Sequence, residues 1–227
     1  MPASQPTIEE FERKINDENL GFYQKIEIER FSEFAKIIGL ETGVDIDEIY
    51  EIIKKDKVLV EIGAGYGRAI QALLKKGFKE RVYAVERVNH LVNYMRHLFV
   101  EQENVKLILK DVKYLKLPEK ADTILWVWSG ILELSLKEQE EALLQLKEQL
   151  KPHGKIIIET PYQDVKFIGK KSTDNYIRFE TDWGKIEAYL STFQDIKLMS
   201  EKVCFNKLEK KLYKTNKDLT RVFYILS

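Results

Sequence analysis

The stretch EIGAGYG concentrates the chain's most specific chemistry: Glu61, then Gly63, Gly65 and Gly67, with Ala64 and Tyr66 between them. It follows the apolar run KVLV and opens the helical-looking RAIQALLKKG. Glycine permits tight positive-φ turns and lets a ligand approach the main chain, while a helix start offers N–H groups with no partner inside the helix. Glycines at alternate positions between a strand and a helix therefore predict a loop that holds a ligand against its backbone. The spacing narrows the choice. A triphosphate cradle needs Gly-Lys-Ser/Thr, and this chain has Gly67-Arg68-Ala69. The dinucleotide fingerprint G-x-G-x-x-G/A wants a small residue where Arg68 stands. Glu61, at the carboxyl end of the first strand, repels phosphate and suits a cationic ligand.

A second acid follows at the spacing of a nucleotide site. Glu86 ends the run VYAVE roughly 20 residues beyond the glycines, where an acid in a βαβ unit accepts hydrogen bonds from ribose hydroxyls. A nicotinamide enzyme would use the same acid. Asp111 follows a third strand in ILKDV; taken alone, such an Asp is a turn or cap residue.

The elements that must position these groups follow from hydrophobic periodicity. Residues 7–55 read as helices (TIEEFERKI, YQKIEIERFSEFAKIIGL and DIDEIYEIIKK), with Gly39 as a stop and Asp45 as a cap. From Lys57 onward, KVLVEI, RVYAVE, VKLILK, DTILWVW and GKIIIET alternate with helical stretches, which predicts βαβ units. The fold class is α/β: a doubly wound, mostly parallel seven-stranded sheet closed by an antiparallel C-terminal hairpin strand and preceded by N-terminal helices. The division expected is an N-terminal helical extension or lid over 1–55 and the main domain over 56–227. Past the fifth strand the reading is NYIRFET as a strand, DWGKIEAYLSTF as a helix, and DIKLMSEKVCFNKL and LTRVFYILS as paired strands joined by the polar EKKLYKTNKD. Cys204 reads as an apolar filler in the first of that pair.

The run EIGAGYG resembles motif I of the class I S-adenosylmethionine-dependent methyltransferases, an acid, one residue, then G-x-G-x-G. The similarity extends over Val58 to about Glu159. It implies S-adenosylmethionine as cofactor and S-adenosylhomocysteine as product. Glu61 and the backbone of Gly63, Ala64, Gly65 and Gly67 would hold the methionine end and Glu86 the ribose, with Arg87 also among the cofactor-binding residues. Asp111 and the N–H of Val112 would meet the adenine. Trp128 and Ser129, at the carboxyl end of the fourth strand, join the cofactor side of an open α/β sheet; Trp126, deeper along that strand, reads as core.

The acceptor is less legible. After the fourth strand, TILWVWSGILEL lacks the Asn/Asp-Pro-Pro-Tyr/Phe that methyltransferases of amide or exocyclic amino nitrogens often carry. A protonated acceptor needs a base. His90 and His97 fall on a sheet-covering helix and His153 in a turn, which leaves Glu133 and Tyr162, after the fourth and fifth strands, as the catalytic candidates. Tyr23, Tyr66 and Arg68 flank the site and default to packing. The insertion Pro161–Phe193 and the N-terminal helices are expected to cover a pocket for a small-molecule acceptor, with a protein or RNA acceptor left open.

Lys plus Arg equals Asp plus Glu at 37 each, so no net field draws the 227-residue chain to nucleic acid or an anionic membrane. The lysines of KLEKKLYKTNK form a local patch at the predicted hairpin tip. The opening residues carry no secretory signal, and no run is long and apolar enough to span a bilayer, so a cytoplasmic protein is expected. One cysteine, without metal-ligand spacing, predicts no metal site. Two rival readings stay open: a nicotinamide-dependent oxidoreductase, and a non-catalytic or partner-dependent cofactor-binding subunit.

Overall fold

The computed structural model describes residues 8–162, 170–173, 175–181 and 184–227. Seven strands form the main sheet: β1 (Val58–Ile62), β2 (Arg81–Glu86), β3 (Val105–Leu109), β4 (Ala121–Trp126), β5 (Leu150–Pro161), β9 (Leu208–Lys214) and β10 (Thr220–Leu226). Their spatial order is β3-β2-β1-β4-β5-β10-β9. The first five run parallel, and β10 pairs antiparallel with both β5 and β9. The strand order reverses between β1 and β4, and a crevice at such a switch point is where open α/β sheets bind ligands.

Both faces of the central strands are covered, which is why β1, β2 and β4 are largely apolar rather than strictly alternating. Val58, Val60 and Ile62 of β1 pack with Leu143 and Leu146 of α6 (Leu136–Lys147) and Ile196 of α7 (Phe193–Lys202). On the other face, Leu59 packs with Ile70 and Leu73 of α4 (Arg68–Lys75) and Met95 of α5 (Asn89–Leu98). Leu40, with Ile46, Ile49 and Ile53 of α3 (Val44–Ile53), belongs to this second core, and none of the four is exposed. At about 1.5–3 kcal/mol per buried aliphatic side chain, α3 is part of the sheet's packing rather than an appendage to it.

Ahead of it lie α1 (Ile8–Lys25) and α2 (Ile28–Ile38), separated at Ile26–Glu27, so the expected continuous helix YQKIEIERFSEFAKIIGL, beginning at Tyr23, is broken there. Gly39 stops α2 with φ 75°. The N-cap of α3 is Gly43, and Asp45 sits inside the helix. Its carboxylate does not cap; it accepts from Arg68 Nη1 at 2.8 Å and Nη2 at 2.6 Å.

The C-terminal third departs from expectation. GKIEAY is strand β8 (Gly184–Tyr189), not helix, and pairs antiparallel with β7 (Tyr176–Thr181), which also pairs with β6 (Lys170–Thr173). Strand alternation decides it: Ile186 lies opposite Phe179 and Ala188 opposite Ile177, giving this small sheet one apolar face. DIKLMSEK is helical in α7, where Thr192 and Asp195 form a capping box and Ile196 and Met199 share the buried side. Cys204 is exposed in the turn after α7 at φ 60°, so it fills no strand interior. LEKKLYK is itself edge strand β9, which shortens the hairpin connection to Thr215–Leu219. Its lysines are engaged: Lys211 with Glu48 at 2.8 Å, Lys214 with Asp218 at 3.2 Å, and Lys210 over the rings of Tyr162 and Phe193. Charged side chains on an edge strand discourage pairing with other chains. Residues 163–169, 174, 182 and 183 of the expected cover lie outside the described residues. Among the described residues, no helix is long and apolar enough to cross a membrane, and no cluster of His, Cys, Asp and Glu could hold a metal ion.

Candidate active site

At the carboxyl ends of β1, β2, β4 and β5 lies a cavity of about 480 Å³, within the range of roughly 300–1,000 Å³ usual for small-molecule sites. Its sheet side is built from the loops after the strands. Its roof is the apolar face of the small sheet, through Ile177, Phe179, Ile186 and Ala188, with Phe22, Phe31 and Phe34 from the N-terminal helices.

The glycine loop supplies the first wall. Gly63, Gly65 and Gly67 all have positive φ, at 68°, 57° and 81°, but they serve different ends. A Cβ on Gly63 would meet nothing within 4 Å, and Gly63 lines the cavity, so its main chain is open to a ligand. A Cβ on Gly67 would stand 2.7 Å from the Phe99 ring, so that glycine serves the packing of α5. Ala64 is buried, donates its N–H to Val85 O at 3.0 Å, and contributes no cavity wall.

Glu86 locks the loop to the second strand. Its Oε2 accepts from Gly65 N at 2.8 Å, and its Oε1 from Arg87 N at 2.7 Å and Val88 N at 2.9 Å. A carboxylate offers about four lone-pair positions, so one is left uncommitted, and Glu86 lines the cavity. Arg87 lies beside it, with Nη1 at 2.7 Å from Asn16 Oδ1 of α1 and 3.6 Å from Asp111 Oδ2, and Nη2 at 3.4 Å from Glu133 Oε2. Asp111 accepts from Lys113 N at 2.9 Å, and both Asp111 and Val112 line the cavity.

Glu61 is elsewhere. Strand alternation turns it to the Leu59 face, under the loop against Arg68, where it is 3% exposed and does not line the cavity. Its Oε2 has no hydrogen-bond partner among the described residues, and burial pushes the carboxyl up to about 8. The sign follows. The unfolded carboxyl titrates near 4.5, so the folded state holds an extra proton between the two values, and stability falls as pH rises through that window. Glu61→Gln is expected to flatten the fall in Tm between about pH 5 and pH 8.5 by an amount of order 3 kcal/mol, or about 5–10 °C. Parallel Tm profiles for the two proteins would contradict the burial argument.

The loop after β4 closes the floor under backbone strain. Trp128 and Ser129 both hold left-handed conformations, φ 52° and 65°, which bulky residues adopt rarely. Glu159 holds them there, its Oε2 accepting from Trp128 N at 2.7 Å and its main-chain O from Ser129 N at 3.0 Å. The Trp128 ring meets Phe31 at 5.0 Å and Tyr66 at 6.3 Å between centroids, so an aromatic cluster stands beside Gly65. Trp126, only 2% exposed, packs in the core as expected although its edge reaches the cavity.

Of the two candidate bases, Glu133 lines the cavity and Tyr162 does not; the Tyr162 ring lies under Lys210, toward the edge strand β9. Glu133 is 20% exposed, accepts a hydrogen bond from Tyr23, and is held above the usual carboxylate range by burial, against the pull of Arg87. The Tyr23 hydroxyl is in turn raised well above its ordinary value by burial and by Glu133. His90 bonds Ile26 O at 3.0 Å, His97 is exposed, and neither touches the cavity. Sequence reasoning missed Glu159 and Arg221, the latter a cavity-lining side chain only 4% exposed. The available signal was a charged residue inside each of two apolar strands.

A sequence model of the family described as "Methyltransferase domain" matches residues 53–222. The chain belongs to this methyltransferase-domain family. Similar folds occur in a Leishmania major S-adenosylmethionine-dependent methyltransferase, at 16% identity and TM-score 0.70, covering 93% of this chain and 82% of that one. A second is the 1,6-didemethyltoxoflavin-N1-methyltransferase of Burkholderia thailandensis, solved with 1,6-didemethyltoxoflavin and S-adenosylhomocysteine, at 14% identity and TM-score 0.68 over 100% of this chain and 92% of that one. An S-adenosylmethionine-dependent methyltransferase of Clostridium acetobutylicum aligns at 16% identity and TM-score 0.65 over 87% and 98%. No curated protein sequence matches the chain. In this methyltransferase domain the family match runs from the end of α3 into β10, and so takes in every strand-end loop that builds the cavity.

Proposed function

We propose that the protein transfers a methyl group from S-adenosylmethionine to a small-molecule acceptor bound under the roof of the small sheet. The observation that carries this reading is the opening at Gly63, a positive-φ glycine with free space where a Cβ would stand, beside the single uncommitted lone pair of Glu86. Those residues fit the ribose and methionine portions of the cofactor, and Asp111 and Val112 fit its adenine.

When bound, S-adenosylmethionine supplies a methyl carbon already activated by its sulfonium, so the chain's residues act mainly by orientation and exclusion of water. Phe31 and Trp128 provide an apolar wall, with Tyr66 packed against both and Arg68 over the Trp128 ring at 5.4 Å. Transfer to an O–H or N–H acceptor forms a bond to the methyl carbon, breaks the carbon–sulfur bond with its pair going to sulfur, and releases one proton. Glu133 is the group that takes it: a carboxylate raised by burial is better matched to proton removal near neutral pH.

Two further neighbours in fold act on small or peptide-like acceptors, an amino pentose methyltransferase of Micromonospora echinaspora and a glycopeptide N-methyltransferase. The covered, apolar cavity favours the smaller class here. Release of S-adenosylhomocysteine against a metabolite panel tests the reading, and Glu133→Gln is expected to lower kcat by about 100-fold while cofactor affinity holds. Full turnover in that variant would remove Glu133 from the proposal. No release with any acceptor, despite cofactor binding, would favour a non-catalytic subunit.

A further inference from the structure

Arg221 is an unusual residue for an apolar strand. It stands in β10 between Thr220 and Val222, is 4% exposed, and lines the cavity together with Leu219 and Ser129. Its charge is already matched. Nε and Nη2 both pair with the fully buried Glu159, Nη2 to Oε2 at 3.0 Å, and Nη2 also donates to Ser129 Oγ at 2.7 Å. Tyr213 adds a further donor to that carboxylate, at 2.8 Å from Oε1. Nη1, with two N–H groups, takes part in none of these bonds and has no partner among the described residues. Arg221 lines the cavity, and Nη1 is the one nitrogen of its guanidinium not committed to Glu159 or Ser129.

A donor pair left over on a desolvated, charge-neutralised guanidinium asks for an oxygen. Because Glu159 balances the positive charge, a neutral carbonyl is suited better than a carboxylate, whose own desolvation would go uncompensated. Much of the cavity wall is apolar, including Leu132 and Leu134 from the loop after β4 and Phe34, Ile177, Phe179 and Ile186 from the roof. We infer that the acceptor is an uncharged, largely apolar molecule carrying a carbonyl oxygen that accepts a hydrogen bond from Arg221 Nη1, together with the O–H or N–H that is methylated. The inference rests on the methyltransferase reading and adds to it a specificity-determining residue and a substrate class. Arg221 works by recognition, since a buried donor left unpaired penalises molecules without the matching oxygen.

The test uses three bicyclic probes of one substitution pattern: a hydroxyacetonaphthone, the corresponding ethylnaphthol and the corresponding hydroxynaphthoate. Each is titrated into the full-length protein saturated with S-adenosylhomocysteine. The ketone is expected to bind about tenfold or more tighter than the ethyl compound, the range for a hydrogen bond to a charged donor, and tighter than the carboxylate. In Arg221→Lys, which keeps a cation for Glu159 and loses the fork, the ketone preference is expected to fall to about twofold with little change for ethylnaphthol. Should that variant fold poorly, Arg221→Met combined with Glu159→Gln removes the pair without stranding a buried charge and is expected to lose the same preference. Equal binding of ketone and ethyl compound, tightest binding of the carboxylate, a preference surviving both variants, or no binding of any probe would overturn the inference. Failure of S-adenosylhomocysteine itself to bind would instead strike the underlying reading.

Discussion

Glu86→Ala is expected to weaken S-adenosylhomocysteine binding by about 100-fold. Two contributions combine. The uncommitted lone pair is lost, and a hydrogen bond to a charged group is worth about 1.5–3 kcal/mol. The N–H groups of Gly65, Arg87 and Val88 also lose their acceptor, so the glycine loop is no longer held to the end of β2. The variant should therefore show a lower Tm as well as lower affinity, and Glu86→Gln, which keeps one carbonyl oxygen, should sit between it and the wild type. Calorimetric titration of the three proteins checks the order. Unchanged affinity in the alanine variant would remove Glu86 from the cofactor site.

Asp45→Ala is expected to cost about 3–5 kcal/mol of stability, a fall in Tm of about 10 °C. Asp45 is fully buried and Arg68 is 6% exposed, and the pair is bidentate. Removing the carboxylate leaves a buried guanidinium with one hydrogen bond, to Leu40 O at 2.8 Å, beside Glu61 and the Trp128 ring, and its Nε already has no hydrogen-bond partner among the described residues. The same salt bridge ties α3 to the helix that begins at the glycine loop, so loss of stability should travel with loss of cofactor affinity. Replacing both partners, Asp45→Leu with Arg68→Met, should recover most of the Tm, since the penalty lies in the unpaired charge. A single variant as stable as the wild type would show that the pair adds nothing to the fold.

The cofactor half of the molecule is legible in the sequence because local rules govern it. Glycines at alternating positions after an apolar run, an acid at the end of the next strand and another after the third each have a backbone reason to be where they are. Five parallel strands and their helices follow from the same periodicity. Periodicity misreads residues 184–202 because GKIEAY and DIKLMSEK are short and carry few apolar residues, so the competing periods differ by one or two positions. Pairing with β7 makes the first a strand, and the Thr192–Asp195 capping box, together with burial of Ile196 and Met199, makes the second a helix. Glu61 belongs to the loop its spacing indicates but lies on the opposite side of it from the cavity, because strand alternation sends it toward Arg68. The Glu159–Arg221 pair joins residues 62 positions apart, and no local pattern encodes that contact.

Leu40 and the buried isoleucines of α3 pack into the sheet's own core. We propose that any lid is confined to α1, α2 and the small sheet. Asn19 links two of these parts, exchanging hydrogen bonds of 2.8 Å with the main-chain N–H and O of Glu187.

The central claim is that the cavity takes S-adenosylmethionine and its product. Thermal unfolding of the purified protein with S-adenosylhomocysteine, and separately with NAD, tests it most directly. Ligand at about 100 times its dissociation constant stabilises by about 2.7 kcal/mol, which for a chain of this size raises Tm by about 5–10 °C. The account predicts that shift with S-adenosylhomocysteine and none with NAD. A shift with NAD alone, or with neither, would contradict it.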